Sequence, residues 1–370
     1  MKVFLSGGGT AGHVNPALAI GAELEKRYEG CDISYVGTPN GIENRLVTKY
    51  PMFHIRIQGV ARKLTLSNLK TAYYALTSFS KARKLIKKEK PDLVVGTGGY
   101  ACFPIVSAAA SLNVPVVLHE SNTVPGMVVR RMQKKVDAVF INFEKTKEYL
   151  DGSSNIVHVG TPLRPEFMTV DREAARRELG IGADKTMILS FGGSLGATRL
   201  NDEILTLMKE CISKRDDVVH VHGVGKREYE SFMERARDAG LDKCPNIIIK
   251  EYINDMPSVM AASDLIISRS GALTLSEIAY LGIPSILIPS PNVTDDQQYK
   301  NAAALGEKGG AIVIRESMLE KDVLINAVCD LIENANVRSD MSENCKKFAV
   351  VDSGEKICRE IEKIFKRKQK

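Results

Sequence analysis

The sequence predicts an α/β protein made of two doubly wound Rossmann-like domains, and three observations predict it. Short apolar runs alternate with helix-length segments in two successive series. The 370-residue length is more than one core comfortably serves. Three glycine-rich turns each close an apolar run and open a helical stretch, the joint at which open parallel sheets bind ligands.

Taken in order, the first series places strands at 3–6, 33–36, 53–57, 93–95, 114–118 and 138–141, with helices between most of them. A second series follows at 187–191, 218–221, 247–249, 265–267, 285–288 and 311–314. The join is expected near Gly160-Thr161-Pro162, before a charged helix over 172–179. Domains are therefore drawn at 1–162 and 163–344, with a helix over about 345–370 packing back on the first. Residues 100–118 carry no charge, but Pro104, Asn113 and Pro115 interrupt them, so a helix and then a buried strand are expected, not a membrane span.

Charge and cysteines narrow the class. The formal net charge is +6, and the stretch from Arg62 to Lys90 holds nine basic residues against one acid, Glu89. The seven cysteines are scattered without a CxxC pair, which predicts free thiols in a reducing compartment and no structural zinc site. Lys2 leads directly into a strand, without the apolar run of a signal peptide. A cytoplasmic protein with no spanning helix is the expectation.

The first glycine turn, Gly7 to His13, fits GxGxxG and opens a helix expected over 14–24. A dinucleotide site also wants an acid at the end of the second strand, and that strand ends Val36-Gly37-Thr38, which weakens a nicotinamide or flavin reading. His13 falls in the first helical turn, where the helix dipole disfavours an imidazolium; it is either a neutral proton acceptor or a histidine packed over the turn. The second turn, Gly96-Thr97-Gly98-Gly99-Tyr100, allows close approach of a ligand or of a helix. The third, Gly192 to Ala197, offers small residues, the Ser194 hydroxyl and a helix start, a cradle for a diphosphate. No Gly-Lys-Ser/Thr follows it, so ATP hydrolysis is unsupported.

The stretch from Arg269 to Asn301 joins a strand end, a glycine turn, a helix over 274–281 and the loop Asp295-Asp296-Gln297-Gln298. Glu277 is placed to accept hydrogen bonds from a ribose diol, and the two glutamines to meet sugar hydroxyls. The plain alternative is ordinary capping, with Ser270 or Thr274 as cap and Glu277 as box partner. Glu120 and Asn122 either bind substrate or close a loop; Arg164 either neutralises a diphosphate or pairs with an acid of the next helix. Between residues 67 and 88, Leu69, Tyr73, Leu76, Phe79 and Ile86 recur at helical spacing among lysines and arginines. That face either turns inward or rests on anionic lipid.

In combination, GGGTAGHVNPALAI, VVGTGGYACFP, HESNTVPG, GTPLRPE, FGGSLGA, EYINDMP and the RSGALTLSEI to DDQQYKNA block resemble the MurG family of bacterial peptidoglycan N-acetylglucosaminyltransferases, over nearly the full chain. The resemblance implies the GT-B fold, two Rossmann-like domains facing across a cleft. It implies inverting transfer of N-acetylglucosamine from UDP-N-acetylglucosamine to the C4 hydroxyl of the muramyl sugar of undecaprenyl-linked lipid I, giving lipid II. By matching motif, His13 is implied as the base. Thr10, Ala11, Gly12 and Asn122 fall near the donor sugar, and Ser194 and Arg164 near the diphosphate. Ile253 reads uracil through its backbone beside Tyr252. Glu277 holds the ribose, and Ala272, Leu273, Thr274, Leu275, Ser276, Gln297 and Gln298 complete the donor pocket. Gly98, Gly99 and Tyr100 face the acceptor diphosphate. Ala11 departs from the glycine many relatives carry. A lipid-linked acceptor shifts the amphipathic stretch toward peripheral binding at the cytoplasmic face of the membrane, through Leu69, Tyr73, Leu76, Phe79, Lys81, Arg83 and Lys84, on anionic inner-leaflet lipids. Cell-wall synthesis proteins are implied as partners, nucleic acid is not, and no cofactor or protein-bound metal is expected. Rival readings are a transferase with another lipid acceptor, such as diacylglycerol, and a nonenzymatic nucleotide-sugar-binding protein.

Overall fold

The computed structural model describes residues 1–57, 67–152, 154–193, 196–320 and 322–368, with the side chains of 67–76 outside the described set. The chain divides into two compact units, one of Met1–Pro162 with Val350–Lys370 and one of Leu163–Ala349.

The first unit is built on seven parallel strands: β1 (Lys2–Ser6), β2 (Asp32–Gly37), β3 (Met52–His54), β4 (Leu93–Gly96), β5 (Val116–Glu120), β6 (Ala138–Ile141) and β7 (Ile156–His158). Their order is β3-β2-β1-β4-β5-β6-β7. Val3, Phe4 and Leu5 are all fully buried on consecutive positions, which requires a sheet covered on both faces. Val3 and Leu5 join a core with Val14, Ala17, Ile20 and Leu24 of the helix Ala11–Arg27, whereas Phe4 joins one with Ile105 and Ala109 of the helix Phe103–Ser111.

The C-terminal helix Ser353–Lys368 belongs to this unit. Ile357, Cys358, Ile361 and Ile364 form one apolar stripe that enters the first of those cores. Ion pairs of 2.8 Å between Arg27 and Glu362 and 2.9 Å between Lys368 and Asp137 flank it.

The second unit has six parallel strands: β8 (Thr186–Phe191), β9 (Val218–Gly223), β10 (Ile247–Lys250), β11 (Leu265–Ser268), β12 (Ser285–Leu287) and β13 (Ala311–Val313). The order is β10-β9-β8-β11-β12-β13. Each unit therefore reverses strand order beside its first strand, between β1 and β4 in one and between β8 and β11 in the other. Ligands of open α/β sheets bind at such points. Register pairs Ser6 with Gly96 and Phe191 with Ser268, so the turns that follow those strands emerge side by side.

Several sequence expectations shift. The fifth strand runs Val116–Glu120 and not 114–118, because Asn113 adopts a left-handed φ of 58° and Pro115 lacks an N–H for the ladder. Val114 instead donates back to Ala109 at the end of the preceding helix. The third strand stops at His54, short of 57. Strand β7 was not expected at all: at the sheet edge it offers only two apolar residues, Ile156 and Val157, before His158. Helices expected to open at 14 and 274 open at Ala11 and Ala272, each just past its turn.

Candidate active site

In the first unit the glycine turns after β1 and β4 interlock. The Gly8 amide donates to the Gly98 carbonyl at 3.3 Å, and Thr97 Oγ1 donates to the His13 carbonyl at 2.6 Å. A Cβ on Gly99 would stand 2.0 Å from the Gly8 carbonyl oxygen, and one on Gly7 would stand 2.2 Å from Thr97 Oγ1. These backbones meet at distances only glycine permits.

His13 sits over this junction, third in the helix Ala11–Arg27. Its Nδ1 lies 3.0 Å from the Gly8 carbonyl oxygen and 3.2 Å from Thr10 Oγ1. A carbonyl only accepts, so Nδ1 carries the proton and Nε2 is left as the basic nitrogen. Nε2 makes no hydrogen bond among the described residues. Burial pushes the imidazole below its ordinary range, opposed by the Gly8 carbonyl. The imidazole is thus a neutral acceptor at neutral pH, and the cause is chiefly burial where the sequence had suggested the helix dipole. Gly98 and Gly99 hold left-handed φ values of 104° and 75°, and a Cβ on Gly98 would stand 2.8 Å from His13 Cδ2. The exposed Tyr100 ring flanks Gly9.

Thr10 is the extended N-cap of this helix and makes no capping bond; Thr10 and Gly12 are exposed, and Ala11 is half-buried. First-turn amides of a helix have no partner within it, so this rim presents donors. Asn122 lies two residues past β5, where Glu120 closes the loop. Glu120 accepts from the Asn122 amide at 2.9 Å and from the Gly126 amide at 2.7 Å. Burial raises the Glu120 carboxyl above its usual range, and those two amides oppose the shift. Glu120 therefore shapes the loop, and Asn122 is held by it.

In the second unit the turn after β11 leads into the helix Ala272–Leu281. The N-cap is Gly271, with no side-chain cap. The capping alternative is corrected here: Ser270 Oγ donates instead to the Gln298 carbonyl at 2.9 Å, and neither Thr274 nor Glu277 closes a box. Ser270 thus ties this turn to the helix Gln297–Gly306, and Gln298 Oε1 accepts from the Ser290 amide at 2.8 Å. Gln298 is fixed by its oxygen, with Nε2 unbonded among the described residues. Two consecutive non-glycine residues, Asp295 and Asp296, take left-handed φ of 54° just before it. Strain of that kind collects at functional loops.

Glu277 is half-buried, and its carboxylate has no hydrogen-bond partner among the described residues. Burial pushes it up to about 7, opposed by the positive charge of Arg164. Arg164 is exposed and lies over the Phe167 ring at 5.1 Å from the centroid; no ion pair holds it among the described residues, contrary to the helix-pairing alternative. Ala272 and Leu275 are buried, while Leu273, Thr274 and Ser276 are half-buried, with Ser276 Oγ donating to the Ala272 carbonyl at 3.1 Å. Beyond β10, Tyr252 is half exposed and Ile253 is buried; a Cβ on Gly223 would stand 3.1 Å from Ile253 Cδ1. The Ile253 amide and carbonyl make no hydrogen bond among the described residues. Ser194 lies outside the described residues, as do the side chains of Leu69, Tyr73 and Leu76. On the described half of the helix Ser67–Glu89, Ala82 and Ile86 are buried and Phe79 packs against the core, while Lys81 and Lys84 are exposed. Arg83 lies over the Phe79 ring at 5.9 Å.

Thr97 and Glu43 were missed by sequence reading. Thr97 was legible as part of its glycine turn. Nothing local marked Glu43.

Comparison with known proteins bears on this geometry. Residues 3–141 match the glycosyltransferase family 28 N-terminal domain and residues 187–357 its C-terminal domain. The UDP-N-acetylglucosamine–N-acetylmuramyl-(pentapeptide) pyrophosphoryl-undecaprenol N-acetylglucosamine transferase of Acetivibrio thermocellus is 40% identical over 370 residues, covering 100% of this chain and 99% of that protein. The protein of the same name from Bacillus subtilis is 36% identical, covering 99% and 100%. The crystal structure of Acinetobacter baumannii MurG superposes with a TM-score of 0.80 at 29% identity, covering 98% of this chain and 99% of that one.

Proposed function

We propose, from the premise that the chain belongs to the MurG family within glycosyltransferase family 28, that it moves N-acetylglucosamine from UDP-N-acetylglucosamine to the C4 hydroxyl of the muramyl sugar of undecaprenyl-linked lipid I. The observation that carries the chemistry is the tautomer of His13: Nδ1 is committed to the Gly8 carbonyl, and Nε2 is free to accept a proton.

In this reading Nε2 takes the proton of the acceptor hydroxyl as its oxygen attacks the anomeric carbon, with inversion, and UDP departs. General base assistance of this kind contributes typically ~10²–10⁴-fold. Glu277 accepts the ribose hydroxyls, which satisfies a half-buried carboxylate that otherwise lacks a partner. The backbone of Ile253 reads the uracil edge beside Tyr252. Amides at the start of the helix Ala272–Leu281, the Ser194 turn and Arg164 spread the charge of the departing diphosphate. Gln297 and Gln298 meet the sugar, with Thr10, Ala11, Gly12 and Asn122, while Gly98, Gly99 and Tyr100 meet the acceptor diphosphate. The proposal includes no protein-bound metal.

No helix among the described residues is long and apolar enough to cross a membrane. A lipid-linked acceptor is reached, in this proposal, by peripheral attachment through the helix Ser67–Glu89, with Lys81, Arg83 and Lys84 on anionic lipid.

The deciding experiment measures UDP release from UDP-N-acetylglucosamine with a lipid I analogue in detergent, with diacylglycerol, and with neither, each repeated in EDTA. Release that requires the lipid I analogue and survives EDTA is expected. Release triggered by diacylglycerol instead overturns the acceptor, and loss in EDTA overturns the metal-free mechanism.

A further inference from the structure

Dinucleotide-binding folds place a ribose-holding acid at the end of the second strand, and here β2 ends in Gly37 with no acid. The structure brings one back to that point. Glu43 opens the short helix Glu43–Leu46 and is fully buried. Its Oε1 accepts from the Thr38 amide at 2.8 Å and from Thr38 Oγ1 at 2.7 Å. The loop between them is stitched by Asn44, whose Nδ2 donates to the Thr38 and Gly41 carbonyls at 2.8 and 3.0 Å.

Three glycines enclose this carboxylate. A Cβ on Gly41 would stand 2.1 Å from Oε1, one on Gly37 would stand 2.7 Å from Cγ, and one on Gly8 would stand 3.0 Å from Oε2. Oε2 is buried and has no hydrogen-bond partner among the described residues. A buried carboxylate oxygen left in that state is costly, and an apolar side chain of similar size would avoid the cost. What Oε2 faces is Gly8, the residue that orients the proposed base. Gly8 is bonded through its amide to the Gly98 carbonyl and through its carbonyl to His13 Nδ1, and any side chain on it would run into the Ala101 methyl and Glu43 Oε2. Tyr35 adds a further anchor by donating to the Gly7 carbonyl at 2.7 Å.

We propose that Glu43 is a positioning residue for His13: its carboxylate, gripped by Thr38 and backed against Gly8, fixes the glycine turn from which the Gly8 carbonyl aims the imidazole. The proposal rests on His13 as the base of the transfer reaction. It assigns Glu43 no contact with substrate, since the side chain is sealed from solvent.

The test is a set of variants in the full chain: Glu43→Ala, Glu43→Gln, Thr38→Val, His13→Ala and the Glu43→Ala/His13→Ala double. Misplacing a catalytic group by about 1 Å costs ~10²-fold. Glu43→Ala is therefore expected to lower kcat about 10- to 100-fold, with KM for UDP-N-acetylglucosamine within about twofold. Glu43→Gln keeps the size and the Thr38 contact and is expected to restore most of kcat. In the double variant Glu43→Ala should add nothing to the His13→Ala loss, because the two act as one unit. A second readout does not depend on turnover: the His13 imidazole, followed by NMR, should titrate lower in Glu43→Ala, because the Gly8 carbonyl that opposes the effect of burial is no longer aimed at it.

Wild-type kcat in Glu43→Ala overturns the proposal. So does an undiminished further loss in the double variant. If His13→Ala itself retains turnover, the base assignment falls, while the NMR titration still judges Glu43: an unmoved His13 curve overturns positioning. Should Glu43→Ala fail to fold, Thr38→Val carries the test, expected to shift the same titration by removing one of the two Oε1 donors, and an unmoved curve there overturns the proposal.

Discussion

His13 Nδ1 lies 3.0 Å from the carbonyl oxygen of Gly8, a residue five positions earlier on the same glycine turn. That contact fixes which imidazole nitrogen holds the proton, and with it which nitrogen serves as the proposed base. Replacing His13 with Ala is expected to lower kcat ~10²–10⁴-fold and to leave the UDP affinity within about twofold. Burial holds the imidazole below its usual range, so kcat at saturating donor in the wild-type protein should stay flat as pH falls toward 6.5 and drop only at lower pH. Steady-state kinetics across pH with both proteins checks this, and an acid limb at or above 6.5 contradicts it.

Glu277 makes a different pH dependence, on binding. Burial pushes its carboxyl up to about 7 in the free protein, and a ribose diol donates more strongly to the ionised form, which has both oxygens available as acceptors. Apparent UDP affinity should therefore fall as pH drops below 7, by at most about tenfold per unit, and level off above it. Glu277→Gln should bind more weakly at pH 8 and show no such slope. Calorimetric titrations at pH 6 and 8 decide it; equal slopes in the two proteins remove Glu277 from the ribose.

The second unit holds a buried triad with no assigned chemistry. Ser190 Oγ on β8 lies 2.7 Å from His220 Nε2 and 2.8 Å from His222 Nδ1 on β9. Burial lowers the two imidazoles to about 3 and about 4, against an unfolded value near 6.5. The unfolded chain thus binds more protons than the folded one between those limits. The stability contribution is fully present above about pH 6.5 and is lost as pH falls toward 4, by up to about 1.4 kcal/mol per pH unit for each histidine. Urea unfolding at pH 7, 6 and 5 should show the midpoint falling. A His220→Leu variant, if folded, should fall less steeply; a flat profile in the wild type refutes the linkage.

How much of this was readable beforehand follows from where the signal lies. Among the described residues, twelve of thirteen strands correspond to the apolar runs read, most plainly the central ones, because a strand buried on both sheet faces must be apolar throughout; β7 offers only Ile156 and Val157 before His158 at the sheet edge. Glycine turns were legible for a similar reason. Backbones that meet as closely as Gly99 and Gly8 exclude every side chain, so the sequence has to write glycine there. The partners of those turns were not legible. Ser270 looked like a cap, and only the fold shows that its hydroxyl reaches the carbonyl of Gln298. Glu43 carried no local signal, and its burial depends on Gly37 and Gly41 nearby and on Gly8 from the first glycine turn.

Gly98 and Gly30 separate two demands that a glycine can satisfy. Both adopt left-handed φ, 104° and 67°, so a side chain at either position strains the backbone. A Cβ on Gly30 would meet nothing within 4 Å, whereas one on Gly98 would stand 2.8 Å from His13 Cδ2 and 3.2 Å from Nε2. Gly30→Ala is expected to cost about 1–2 kcal/mol of stability and nothing in turnover. Gly98→Ala carries a comparable or larger backbone cost and also forces the imidazole off its seat, so kcat should fall ~10²-fold while UDP affinity, which the proposed function assigns to the second unit, stays put. Thermal unfolding and steady-state kinetics on the two variants distinguish strain from displacement. Wild-type kcat in Gly98→Ala would contradict the requirement that the imidazole hold this seat.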